Sequence, residues 1–446
     1  MDYSFLMFLS NVVKKMMCCC GDRSKASNKT FLILVASCFP ALAFSSPWLE
    51  ATDPFLRSSL VLLSDSNQIS SPVNIYPQRW SLFGDDLTNS SDALNSPSVF
   101  IAKQEVLYAL NTARLNRGNN LFKVIGSTDQ SSLSSFGQFN EDEMGAYIST
   151  DYLNNAFSYR LTAAYSEYND EKELNWNNSY LSLNAGEWLF SLGSIDRWWG
   201  QGWQHNLILA SYTKAAPDIS ASYIGHSDAL GVWNFESLIS KPVDSSYKNH
   251  SATRFVSKPF SIFEYGVTYQ TWFSETNGNG SGDTQMALDA KLTLPHIKDL
   301  YHSVYAEIAS TATVSEVGAW MVGWTGGFNI LDHTARVVLE SQQTTSAHDS
   351  TEWSSDDYPS SSDGVTNNTY LLDKSYSVAF YLQLKNDHSL GLVYRNSTED
   401  DENIKSNQVT YRLPALNGMM HFGVGYENSD SDDENLIAWS GYELRF

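Results

Sequence analysis

The chain has 446 residues, enough for one large barrel or two to three ordinary domains, and 50 Asp and Glu outweigh 28 Lys and Arg to give a formal charge of −22. That balance argues against a nucleic-acid partner, whose phosphates need cationic contacts. Thirteen Trp, 24 Tyr and 22 Phe suit a membrane barrel with aromatic girdles, although an aromatic-rich soluble β-protein shares the composition.

In chain order, the first feature is a targeting signal. Asn28-Lys29-Thr30 precedes an apolar run from Phe31 to Ala43, and Ala41-Leu42-Ala43 fits the small-x-small cleavage pattern. About 13 apolar residues are too few to span a ~30 Å hydrocarbon core as a helix. We therefore expect residues 1–43 to be a signal peptide with an upstream extension, cut between positions 43 and 46. Residues Met1 to Ser27 fit a signal poorly, which leaves Met16 or Met17 open as the start of translation. Val35-Ala36-Ser37-Cys38 resembles a lipoprotein cleavage box but fits less well. All four cysteines (Cys18, Cys19, Cys20, Cys38) precede residue 44, so a processed chain has no disulfide or thiolate metal site. No later stretch is long and apolar enough for a spanning helix.

Residues 44–119 read as an N-terminal helical periplasmic segment. Asp53-Pro54 is an N-cap followed by proline at the first helical position, with Leu56, Leu60 and Leu63 at helical spacing. Ser96-Pro97 repeats the start signal ahead of Val99, Val106, Leu107 and Leu110. We expect both helices on the periplasmic mouth of a strand-rich region that begins near residue 120.

From Asn120 the period changes to two. Phe157, Tyr159, Leu161, Ala163 and Tyr165 alternate with polar residues, as do Met286 to Leu294, Val378 to Leu384 and Val409 to Leu413. Alternation alone fits a sandwich or a membrane barrel. Three features favour the barrel. The C-terminal Ala438, Ser440, Tyr442, Leu444, Phe446 pattern ends on an aromatic residue, a likeness to outer-membrane barrels. Tight turns such as Asn184-Ala185-Gly186 and Asn386-Asp387 contrast with long polar connections such as Ser341 to Lys374. Finally, residues 120–446 at about 18 residues per strand and connection make roughly 18 strands. An even count requires Leu207 to Tyr223 to be one irregular strand, makes Glu167 to Trp176 an extracellular connection, and puts Ser194 to Gln204 on the outer side. The fold class is thus an all-β transmembrane protein: an antiparallel outer-membrane β-barrel of about 18 strands, with a small helical segment at the periplasmic end.

No strong catalytic or metal motif is present. The nine His show no HExxH spacing and there is no G-x-S-x-G elbow; neither an enzyme nor a cofactor is expected. The most informative stretch is Asp196-Arg197-Trp198-Trp199-Gly200-Gln201-Gly202-Trp203. Indole faces stack on sugars, and an arginine fork can hold a carboxylate. A glycan-contacting loop and an aromatic plug that holds the loop inside the barrel both fit these residues. Lumen-facing charges (Arg160, Asp289, Lys291, Arg336, Arg395, Arg412, Glu427, Glu443, Arg445) suit cross-lumen pairing better than a selectivity filter. Trp353 and Tyr358 on the long polar loop are further saccharide candidates. Asp356-Asp357 and Asp430 to Glu434 read as solubilising acidity rather than a Ca²⁺ site.

Trp48-Leu49-Glu50-Ala51-Thr52-Asp53-Pro54-Phe55-Leu56-Arg57, Tyr76-Pro77-Gln78-Arg79-Trp80 and the tryptophan-rich stretch, followed by Leu207-Ile208-Leu209, resemble the Wzi family of capsule assembly proteins. The resemblance implies an 18-stranded barrel in the outer membrane of a Gram-negative bacterium, with a periplasmic helical bundle. It also implies a non-enzymatic, lectin-like role in binding exported capsular polysaccharide or exopolysaccharide at the cell surface, through Arg197, Trp198, Trp199 and Trp203. The implied partners are that polysaccharide, outer-membrane lipid and lipopolysaccharide, and the polysaccharide export machinery. Gln201 stands where the family often has Pro, and the chain after Ser211 matches loosely. The alternative function is a porin-like diffusion channel for small or oligosaccharide solutes.

Overall fold

The computed structural model describes residues 48–89, 96–115, 118–129, 135–140, 142–153, 156–168, 171–207, 209, 215–242, 247–275, 283–311, 314–331, 333–345, 373–399, 402–430 and 434–446. The signal segment, Trp353, Tyr358 and Asp356-Asp357 lie outside the described residues. From Asn120 onward each strand pairs antiparallel with the next, and the last, Glu434–Arg445, pairs with the first, Asn120–Ser127, to close a barrel. Eighteen positions make up the wall. The fourth is shared by two short strands, Glu171–Asn175 and Tyr180–Ala185, which pair with successive parts of Phe157–Tyr168. Closure gives the strands of the wall backbone partners without water, the exception among the described residues being the outer edge of Glu171–Asn175, which pairs with Phe157–Tyr168 on one side.

Two departures from the sequence reading have local causes. Glu167 to Trp176 is largely a strand extension of the hairpin rather than a loop. Leu207 to Tyr223 is not one irregular strand: the strand begins at Pro217, and Leu207 is fully buried in the core inside the barrel. The preceding strand, Trp188–Ser194, is short, and the chain turns into the lumen just beyond it.

The alternation sorts as a membrane barrel requires. On Asp283–Thr293, Leu288 and Leu292 face out while Asp289, Lys291 and Thr293 are buried inside. On Phe157–Tyr168, Leu161 and Tyr165 face out and Ser158, Thr162 and Ser166 face in. An exterior of Leu, Ile, Val and Tyr around a polar interior is the inverse of a soluble barrel, and it places this one in an outer membrane. Aromatic rings join side by side near one rim, from Trp188 to Tyr223 (4.8 Å), Trp233 (5.4 Å) and Phe255 (5.8 Å), as an interfacial girdle does.

The N-terminal segment goes deeper than expected. Helix α1 (Pro54–Asp65) is capped by Asp53, whose carboxylate accepts from Phe55 N (2.9 Å) and Leu56 N (3.4 Å). Nearly all its residues are buried, on polar as well as apolar faces. It lies inside the lumen near the short-turn end. Arg336 donates to Ser58 Oγ and O (both 2.8 Å), Lys258 Nζ to Ser64 Oγ (2.8 Å), and Asp65 pairs with Lys291 (3.2 Å). After α2 (Gly84–Asn89), α3 (Pro97–Arg114) packs on α1 through Ala102, Val106 and Leu110. Its other face, including Phe100 and Tyr108, is exposed. Only α3 therefore covers the mouth as expected, because α1 carries the serines, Arg57 and Asp65 that meet polar wall residues.

Leu288, mid-strand on the outer face, tests the assignment of faces. Leu288→Arg is expected to cost about 2–4 kcal/mol near the bilayer midplane, measured by the equilibrium of folding into lipid vesicles. An unchanged folding equilibrium would contradict a lipid-facing outer surface.

Candidate functional site

The tryptophan-rich stretch is the centre of a plug. Trp198–Trp199 pairs antiparallel with Ile75–Tyr76, so the inserted loop and the N-terminal segment share a small sheet inside the lumen. Trp198 and Trp199 are fully buried, and Trp203 is 1% exposed. The Trp198 indole donates to Gly202 O (2.9 Å) and meets Phe136 edge-on at 5.5 Å. Trp199 packs with Ile75, Leu238, Ala252 and Val256. The Arg57 guanidinium lies 4.4 Å from the Trp203 ring and 4.2 Å from Phe136, and it donates to Gly202 O and Gln201 O. Both glycines of the motif are needed for this fold. Gly200 has φ +151°, and a Cβ on Gly202 would stand 1.8 Å from His205 O.

The wall grips the plug through carboxylates. Arg197 donates two parallel bonds to Asp218 (2.8 and 3.0 Å) and one to Glu236 (2.9 Å), both lumen-facing wall residues. These neighbours hold its pKa above the ordinary arginine value despite burial, and its fork is occupied within the protein. Glu340 accepts from three successive backbone amides, Trp203 N (2.6 Å), Gln204 N (2.8 Å) and His205 N (3.1 Å), as well as from His205 Nδ1 (3.0 Å) and Tyr305 Oη (2.6 Å). Asp289 binds Asn74 Nδ2 (2.6 Å), Arg254 (2.8 Å) and Gln201 Nε2 (3.2 Å). Arg395 donates to Gln204 O (2.7 Å). Of the lumen-facing charges expected from sequence, Asp289, Lys291, Arg336, Arg395 and Arg412 bind the N-terminal segment or the loop, whereas Glu427 meets the wall hydroxyl of Ser406.

Ser375 Oγ lies 2.8 Å from His205 Nε2, and His205 Nδ1 lies 3.0 Å from Glu340. This is the spacing of a nucleophile–base–acid relay. Burial lowers the His205 pKa, leaving a neutral ring that accepts from Ser375 and donates to Glu340. Yet His205, Glu340 and Ser375 are each fully buried, and the carboxylate is saturated with backbone donors. In this arrangement the three groups lock the plug and no substrate reaches the serine. Among the described residues no group of His, Cys, Asp and Glu gathers as metal ligands would.

The plug does not fill the barrel. A cavity of about 1430 Å³ lies beside it, against the wall formed by the first four and last five strand positions. Its lining includes Asn177 and Asp196 toward the long-loop end and Asp387 and Leu416 at the short turns. Trp48, whose ring meets Tyr180 at 4.8 Å and a tilt of 53°, and Phe139, stacked on His421 at 3.9 Å, border it. So does Asp196, whose pKa burial raises to about 6, and Glu105 of α3, raised to about 7 by burial. The sequence reading singled out the motif but not Asp196 as the member facing space, nor Phe136, Phe139, Glu340 or Glu105.

Taken together, these features define a plugged, 18-stranded outer-membrane β-barrel with an aromatic, acid-lined cavity. Its resemblance to the Wzi family holds: residues 113–284 match the model of the family described as capsule assembly protein Wzi. The fold is similar to that of Wzi of Escherichia coli, described as an outer-membrane protein involved in group 1 capsule assembly and a carbohydrate-binding β-barrel. The TM-score is 0.77 at 15% identity, covering 90% of this chain and 100% of that one. Weaker likenesses are to OccAB4 of Acinetobacter baumannii (TM-score 0.48, 10% identity, 73% of this chain and 96% of that one) and OccK10 of Pseudomonas aeruginosa (0.47, 9%, 73% and 98%). Among curated proteins none matches the chain in sequence.

Two substitutions probe the plug and its border. Glu340→Gln places an amide donor opposite three backbone N–H groups. It is expected to cost about 2–5 kcal/mol of plug anchoring, seen as faster hydrogen exchange at Trp203 to His205 with the wall amides still protected. Glu105 titrates at about 7 in the fold against an ordinary 4.5. The folded state therefore holds the proton more tightly, and stability falls as pH rises from about 4.5 to about 7. Glu105→Gln should flatten that part of a denaturation-versus-pH profile; a profile identical to the parent's would contradict the burial of this carboxyl.

Proposed function

We propose that this protein binds exported capsular polysaccharide or exopolysaccharide and anchors or organises it at the cell surface, in the manner of a lectin and without catalysis. The observation that carries the reading is the plug. Two chain segments are bound into the lumen by buried carboxylates on the wall, an arrangement suited to holding a ligand and poorly suited to free diffusion. The likeness to a carbohydrate-binding barrel of capsule assembly supports it. Outer-membrane lipid and lipopolysaccharide would surround the apolar exterior, and the export machinery would deliver the polymer.

Arg197, Trp198, Trp199 and Trp203 enter this reading as the residues that hold the plug. With these side chains buried, contact with a sugar would require the plug to leave the lumen. Trp353 and Tyr358 remain candidates for direct contact from the long loop.

The test is retention of the organism's own polysaccharide on cells. Deleting the protein is expected to release polymer into the medium, and restoring the full chain to return it to the surface. In planar bilayers the purified chain should lack the large steady conductance of an open barrel of this strand number. Unchanged retention in the deletion, or porin-like conductance, would favour the diffusion channel instead.

A further inference from the structure

The outer surface of the barrel changes character toward the long-loop end of four neighbouring strands, Lys374–Gln383, Ser389–Glu399, Glu402–Ala415 and Gly418–Ser429. Val378, Leu392, Val409 and Val424 are exposed on the lipid face of these strands. Above them Tyr376, Tyr394 and Tyr426 stand exposed on the same face, as an interfacial girdle does. The next outward positions are Lys374, Asn396, Lys405 and Asn428, with no apolar side chain and no acid among them.

Cross-strand register makes these positions one row. Asn396 is directly opposite Lys405, Lys405 is opposite Asn428, and Lys374 is diagonal to Asn396. Both ends of the row lie down toward the membrane. Lys374 Nζ is 5.1 Å from the centroid of the Tyr376 ring, and Asn428 Nδ2 donates to Tyr426 Oη (3.3 Å). The Lys374 ammonium is thereby held at the height of the girdle instead of reaching into solvent.

The charges of this region are sorted by place. Glu402 and Glu427 bond the hydroxyls of Ser429 and Ser406, and Ser406 is buried on the lumenal side. Asp430 and Glu434 stand beyond Asn428, at the edge of the row. Among the described residues neither lysine is in ion-pair contact with an acid, Asp373 beside Lys374 included. Acids outnumber Lys and Arg by 50 to 28 in this chain, yet the outward face at this height offers two ammonium groups. The anions at the edge of a hydrocarbon band are the phosphates of lipid headgroups. Lys374 and Lys405 are two strands apart, about 10 Å across the sheet. A headgroup with a single phosphate reaches one of them. A disaccharide with a phosphate at each end reaches both, and the Asn396 amide between them can donate to it.

We infer that this row is a docking site for the diphosphorylated sugar headgroup of lipopolysaccharide in the outer leaflet, with its acyl chains lying along the apolar residues below the tyrosines. The site is on the outer wall and is independent of the polysaccharide-binding reading.

The test uses the purified full chain in detergent micelles with a chelator present. Diphosphoryl lipid A, monophosphoryl lipid A and phosphatidylglycerol are added in equal amounts, and bound lipid is read by native mass spectrometry. The diphosphorylated lipid should be held at least about tenfold more tightly than either of the others. Lys374→Gln combined with Lys405→Gln should erase that advantage. Lys298→Gln combined with Lys385→Gln removes the same charge from exposed lysines at the short turns and should leave it intact. Phosphatidylglycerol held as tightly as diphosphoryl lipid A, parental binding by the Lys374/Lys405 variant, or an equal loss in the Lys298/Lys385 variant would each overturn the inference. The comparison of lipids needs only the parent chain, so it decides the matter even if a variant fails to assemble.

Discussion

One carboxylate makes more contacts with the inserted loop than any other wall group described. Glu340 sits on the wall with five donors around it, three of them consecutive backbone amides of the inserted loop. Three successive N–H groups converging on one anion form the kind of concavity that backbone turns offer to phosphates and other anions. Here the anion belongs to the protein. The attraction fixes the loop at Trp203 to His205, and the geometry upstream is set by it. Gly202 must approach His205 O closely, Trp198 can then reach Gly202 O, and Trp198–Trp199 is presented to Ile75–Tyr76. That anchor, with the Arg197 bonds to Asp218 and Glu236 and the pairing to Ile75–Tyr76, holds the indoles in the lumen rather than at the membrane interface, where tryptophan is equally at home.

The plug also resolves a difficulty of polar barrels. A wall whose inner face bears Arg254, Lys258, Asp289, Lys291, Arg336, Glu340 and Arg395 normally relies on water to solvate those groups. In this chain the N-terminal segment and the loop take over that role with main-chain carbonyls, amides and hydroxyls: Asn74, Ser58, Ser64 and Gln204 each meet a wall charge. Buried ion pairs of this sort add little net stability compared with apolar packing, but they tolerate few alternative arrangements. What they provide is register, because a plug shifted by one residue would leave charges unmet in a dry interior.

The wall was legible in the sequence because period-two alternation is local: Leu288 and Leu292 against Asp289 and Lys291 can be read without knowing any partner. The even strand count came from the parity that such barrels require rather than from local alternation, and the strand limits after Ser194 were not legible. Leu207-Ile208-Leu209 looks like the start of a strand, and only the lumenal core makes Leu207 an inward contact instead. The plug was half legible. Three tryptophans and two glycines announced an unusual loop and allowed both readings, glycan contact or plug. Choosing between them needs Asp218, Glu236 and Glu340, which lie 21, 39 and some 135 residues along the chain from the groups they hold. Phe136 and Phe139 gave still less signal, as isolated phenylalanines in a serine-rich connection that turns back inside.

The division of labour between two adjacent residues ties the plug to the cavity. Along an extended backbone, neighbouring side chains point to opposite sides. Arg197 points to the wall and is consumed there by two carboxylates, while Asp196 points to the open side. A motif that in isolation suggests a cationic hand for an acidic sugar thus presents the reverse in the folded chain, its positive member hidden and its negative member displayed. The same inversion holds across the cavity, where Arg160, Arg412 and Arg445 are each bound by acids and the remaining carboxylates face the space. Which charges border the open side of the plug is therefore set less by which charged residues the chain contains than by which of them the wall pairs.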